Sequence, residues 1–254
     1  MNKNLGNIQA IYNGPIKRRL ISNFLSLSSI QAANYLIPLL VLPYVVRIIG
    51  PEKFGIISYA QTFIYYFTVV INYSFDYTAT REVSLNSDNP RNLSIIYSSV
   101  LFSKMILLIL STIAFALIIG FVDQFSKDWQ LYSITYLVNV GFVFFPSWFF
   151  QGIERLTQTA IFNFFTKLIF AAIVIILIKE ENDFSIYVLG ISLSQITVGI
   201  IAFVYCIYRY KIKIIAISLR RVFFFLKQGG ILFLSSITIN LYTTTNLILL
   251  GFFT

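Results

Sequence analysis

Stretches of about twenty mostly apolar residues, long enough as helix to cross a ~30 Å hydrocarbon core, recur from one end of this 254-residue chain to the other. They fall at 20–46, 54–74, 93–122, 131–150, 160–178 and 185–208, and a seventh begins at Gly230. Residues are 57% hydrophobic and 11% charged, with a mean hydropathy of +0.80, which leaves too little polar surface for a soluble domain of this size. The expected fold class is therefore all-α: a polytopic membrane helical bundle of six complete spans plus a seventh that the sequence leaves truncated.

Residues 1–19 are polar, and the apolar run from Leu20 is too long for the core of a signal peptide, so the first span is expected to insert uncleaved. The single cysteine, Cys206, lies in an apolar span, and histidine is absent, so the chain carries no disulfide, no zinc motif and no histidine acid–base chemistry. No cofactor or metal is expected.

The net charge of +9 is distributed unevenly. With the N-terminus in the cytoplasm, Lys3, Lys17, Arg18, Arg19, Arg81, Arg91, Arg155, Arg209, Lys211, Lys213, Arg220, Arg221 and Lys227 all fall on the inner side. Arg47, Lys53, Lys127 and Lys179 fall on the outer side, beside Glu52, Asp123, Asp128, Glu180, Glu181 and Asp183. That bias is the usual orientation rule, and it favours a cell inner membrane protein with a cytoplasmic N-terminus.

The organisation expected is a six-helix lobe over 1–208, a basic connector over 209–229, and the start of a second lobe over 230–254. In the connector, Arg220, Arg221 and Lys227 alternate with Val222, Phe223, Phe224, Phe225 and Leu226. This is the pattern of an interfacial helix on anionic lipid, or of an ordinary positive-inside linker; nucleic-acid binding is not expected. A faint repeat supports two lobes: Leu27-Ser28-Ser29-Ile30 recurs as Leu234-Ser235-Ser236-Ile237, and at the same offset Tyr35 meets Tyr242.

Charges and amides inside spans are the candidate functional groups, because each needs a partner or a wet cavity. Lys104 and Lys167 lie within the third and fifth spans, about two or three turns from the inner side, where snorkelling is the competing explanation. Gln31, Asn34, Asn72, Asn139 and Gln195 should point inward as interhelical glue or cavity lining. Asp76, Arg81, Glu82, Glu154 and Arg155 cluster where spans meet the cytoplasm, as a latch between helices or as solvated loop charges. Pro38 and Pro43 are expected to bend the first span.

Three blocks carry a family resemblance. They are Ile49-Gly50-Pro51-Glu52-Lys53-Phe54-Gly55 running into Ser58-Tyr59-Ala60-Gln61; Asp76-Tyr77-Thr78-Ala79-Thr80-Arg81-Glu82; and Pro146-Ser147-Trp148-Phe149-Phe150-Gln151-Gly152-Ile153-Glu154-Arg155, with Lys167 downstream. In order and spacing the chain resembles the polysaccharide transporter family, the flippases of O-antigen and related lipid-linked oligosaccharides. It departs from the pattern at Ser74, where many relatives have glycine, and at Gly229-Gly230, where many have proline.

The resemblance implies a non-enzymatic carrier that moves a glycan on a polyprenyl pyrophosphate across the inner membrane by alternating access. It implies membrane lipids, glycan-assembly enzymes and a second half-transporter or second copy as partners. On this reading Lys104 and Lys167 meet the anionic headgroup, Gln31, Asn34 and Asn72 meet substrate hydroxyls, and Asp76, Arg81 and Glu154 gate. A drug/cation antiporter of the same superfamily would instead place a carboxylate mid-span, and an inactive truncated fragment would have no such use for its lysines.

Overall fold

A computed structural model describes the backbone of residues 17–253 and the side chains of residues 28–243. Residues 1–16 and the side chains of Lys17, Arg18, Arg19 and Leu27, which figured in the charge bias and the repeat, lie outside the described residues. The elements are α1 (Lys17–Ile49), α2 (Pro51–Asn72), α3 (Phe75–Leu85), α4 (Pro90–Phe121), α5 (Asp123–Ser126), α6 (Trp129–Tyr136), α7 (Val138–Phe144), α8 (Ser147–Gly152), α9 (Leu156–Leu177), α10 (Phe184–Tyr210) and α11 (Leu219–Phe253). No strand occurs among the described residues. Among the described residues seven helical stretches are long and apolar enough to cross a membrane, so the chain is a polytopic helical bundle as its sequence predicts.

Local sequence sets the starts of the spans. Gly50 takes φ 80° and Pro51 follows at the first helical position, which turns the chain sharply from α1 into α2. Asn89 caps α4 by accepting the backbone N–H groups of Arg91 and Asn92, again with proline at the first position.

Two spans are not single helices. The second breaks at Tyr73 and Ser74, which adopt consecutive left-handed conformations with φ 43° and 59°. The fourth is α6, α7 and α8 in series, broken most sharply at Phe145-Pro146. The first span, by contrast, remains one helix through Pro38 and Pro43. Pro38 and Pro43 therefore do not break the first span into separate helices; the helical breaks lie in the second and fourth spans.

The core divides by depth. One apolar cluster gathers Val45, Ile57, Ile64, Phe67, Phe115, Tyr132 and Val174 toward the end that holds Glu181. Another gathers Phe75, Val83, Tyr97, Val100, Trp148, Phe149 and Cys206 toward the basic end. Between them lies a polar waist containing Thr68, Asn72, Lys104 and Asn139. Outward faces carry Tyr35, Leu36, Leu39 and Leu40 on α1 and Ile109, Leu110, Ile113 and Leu117 on α4, as hydrocarbon contact requires.

Small residues set the closest helix contacts. A Cβ on Gly141 of α7 would strike the Gln195 backbone of α10, and one on Gly199 would strike the Gly141 carbonyl. Backbones meet there directly, which gives packing that the lipid does not otherwise drive. At the far end Lys53 pairs with Glu181 at 3.2 Å and bonds Asn182 at 3.4 Å, so those two connectors share one face of the bundle.

Candidate functional site

Lys104 shows how the waist is built. Its side chain is almost wholly buried, and its ammonium donates to Asn72 Oδ1 at 3.0 Å and to the Phe142 carbonyl at 3.3 Å. The second bond has a specific cause: the i+4 residue of Phe142 is Pro146, which has no N–H, so that carbonyl lacks its helical donor. In a membrane interior an unpaired carbonyl costs several kcal/mol, and the ammonium supplies the missing donor. Lys104 therefore does not snorkel.

Lys167 stands in a different setting. It lines a cavity of about 500 Å³ together with Pro38 of α1, Gln61, Tyr65 and Thr68 of α2, Thr166 of α9, and Gln195 of α10. Thr135, Phe142, Phe170 and Tyr187 contribute further walls. One cation, two amides, several hydroxyls and aromatic faces in one concavity can together hold an anionic group and a polyhydroxylated one. The two lysines meet the cavity unequally: Lys167 is on its surface, whereas Lys104 lies behind it, tied to the carbonyl of the lining residue Phe142.

The amides divide in the same way. Asn139 is fully buried, accepting from Thr68 Oγ1 at 2.7 Å and donating to the Tyr136 carbonyl at 3.1 Å. Asn34 donates to the Ala160 carbonyl at 3.3 Å, tying α1 to α9, and its buried Oδ1 has no partner among the described residues. Gln31 is exposed on α1 and does not line the cavity. Gln195 lines it.

The acidic and basic groups at the basic end form no ion-pair latch among the described residues. Asp76 accepts instead from Ser147 Oγ at 3.0 Å. Arg81 and Glu154 are exposed, and Glu154 has φ 58° in the turn after α8. Asp76 and Arg81 are five residues apart on α3, a spacing that places them on different faces. Glu82 accepts from Gln228 Nε2 of α11 at 3.3 Å.

Sequence reasoning gave no site role to the α2 face of Gln61, Tyr65 and Thr68. Its signal is plain in retrospect, since spacings of four and three put all three on one helical stripe within an apolar span. Tyr65 also donates to Asn240 of α11 at 3.1 Å.

Residues 20–254 match the family described as polysaccharide biosynthesis protein. The chain belongs to that family. It is 30% identical over 236 residues to an Escherichia coli K12 protein named "Putative O-antigen transporter", covering 93% of this chain and 57% of that protein. A Shigella dysenteriae protein of the same name is 30% identical over 236 residues, covering 91% of this chain and 58% of that relative. The chain thus spans somewhat over half the length of the curated relatives it matches. No solved structure matches it.

Proposed function

We propose that this polysaccharide biosynthesis family member serves to flip a polyprenyl-pyrophosphate-linked oligosaccharide, an O-antigen or other surface-glycan unit, across the inner membrane by alternating access. The observation that carries the reading is Lys167 in a cavity of amides, hydroxyls and aromatic rings between membrane-spanning helices. Diphosphate and sugar groups lose their water in hydrocarbon without replacement, and such a cavity offers that replacement while a lipid tail remains in the bilayer.

In this proposal Lys167 contacts the anionic headgroup, and Lys104 adds its positive field from behind the Phe142 wall, with Asn72 as its partner. Gln31 and Asn34 on α1 meet sugar hydroxyls when α1 moves relative to α9. Asp76, Arg81 and Glu154 gate the basic end, which faces the cytoplasm together with the N-terminus. The protein is a carrier without catalytic residues. It works with membrane lipids, glycan-assembly enzymes and a second half-transporter or second copy.

The test is surface glycan in cells carrying Lys104→Gln and Lys167→Gln together, at matched membrane abundance. Loss of surface glycan is the expected result. Wild-type glycan levels would overturn the assignment.

A further inference from the structure

The breaks in the second and fourth spans are matched. Just ahead of each stands an acceptor, Asn72 Oδ1 in one and the Phe142 carbonyl in the other, and the single Lys104 ammonium holds both. Just past each break, Ser147 donates directly to Asp76 at 3.0 Å. The two discontinuities therefore lie side by side, with a tie on either flank.

The segments on each flank are themselves joined in pairs. Beyond the breaks, Thr80 Oγ1 of α3 donates to the Trp148 carbonyl of α8 at 3.1 Å. There Gly152 lies so close that a Cβ would collide with Val83 and the Thr80 carbonyl. Before the breaks, Thr68 of α2 is bonded to Asn139 of α7 at 2.7 Å. Two paired bodies, α2 with α7 and α3 with α8, thus meet at one level through non-helical residues. Lys104 reaches that level from α4, which runs unbroken from Pro90 to Phe121.

We propose that the Tyr73-Ser74 and Phe145-Pro146 breaks form one concerted hinge, and that Lys104 is the positioning residue that latches it to α4. Strained backbone supports the assignment: two consecutive non-glycine residues with positive φ persist only where their surroundings enforce them. The hinge is also connected to α11. Tyr73 stacks on Phe233 with ring centroids 4.3 Å apart, Ser74 Oγ lies 3.2 Å from Ser236 Oγ, and Gly229 lets the α11 backbone approach the Tyr73 carbonyl. Movement of α3 with α8 is passed directly to α11. The hinge stands on these contacts and not on the identity of the transported molecule.

The experiment places one cysteine in the cavity, Thr135→Cys, in the intact protein with Cys206→Ser. Labelling rates by a membrane-impermeant thiol reagent are then compared in right-side-out and inverted membrane vesicles without glycan substrate. With the latch removed by Lys104→Met, the ratio of the two rates shifts by about tenfold or more, while Lys104→Arg stays close to wild type. Ser147→Ala, which cuts the opposite tie without removing a charged side chain, shifts the ratio the same way by a smaller factor and serves if the methionine variant fails to accumulate. An unchanged ratio in Lys104→Met, or in Ser147→Ala where that variant stands in, overturns the hinge, as does an arginine variant indistinguishable from methionine. Because no glycan is present, these outcomes are independent of whether the surface-glycan test succeeds.

Discussion

Lys104 and Lys167 are the same residue type within the third and fifth spans, yet the chain uses them in opposite ways. Lys104 is enclosed, with its ammonium committed to one side-chain and one main-chain acceptor. Lys167 borders open volume beside Gln61, Thr166 and Gln195. A buried cation that completes a helix break belongs to the framework; a cation at a cavity wall is available to a guest. The difference shows that an intramembrane charge is not a substrate site until its partners are known.

The comparison is broken most directly through stability. Replacing Lys104 with methionine leaves Asn72 and the Phe142 carbonyl without their donor and should cost about 2–3 kcal/mol, read as a lowered thermal midpoint in detergent. Lys167→Met should cost under about 0.5 kcal/mol in the same assay. Equal losses would erase the distinction.

Transport should rank the two differently. At matched membrane abundance Lys167→Met is expected to lower glycan export about tenfold, equivalent to about 1.4 kcal/mol, with Lys167→Arg retaining most of it. Export unaffected by the methionine variant would remove Lys167 from the site. Thr68→Val tests the seam between the two regions, since Thr68 both lines the cavity and donates to Asn139. It should lower stability by about 1 kcal/mol; an unchanged midpoint would mean that Asn139 is satisfied without it. The smallest effect is expected at Ser74→Gly. Glycine relieves the positive φ but gives up the contact with Ser236, so a net gain within about 0.5 kcal/mol is predicted, and a large loss would show that the hydroxyl outweighs the strain.

Much of the architecture was legible in the sequence, because a span that must satisfy its own backbone in lipid announces itself by length and apolarity alone. Lys104 and Lys167 stood out for the same reason. The breaks were less visible. Tyr73 is neither glycine nor proline, and its left-handed backbone is held by packing against Phe233 and the close approach of Gly229, contacts made across more than 150 residues of chain. The departure from glycine at Ser74 was the one local hint. Pro38 and Pro43 do not mark these breaks, since the first span stays one helix through both while Asn34 and Tyr44 tie it to α9. The charges at the basic end cluster in sequence, yet helix phase sets Arg81 apart from Asp76, so sequence proximity did not settle their pairing.

The glycine seam between α7 and α10 has a mechanical consequence for the cavity. These helices supply Val138, Phe142, Val188, Ile191, Ser194 and Gln195 to its lining, and their backbones already touch at Gly141 and Gly199. Ser192 adds a further stitch to the Ile134 carbonyl at 2.8 Å. One jaw of the cavity is therefore incompressible. A bulky guest must make its room where α1 and α9 present Pro38 and Lys167, so the adaptable wall and the cationic wall are the same one.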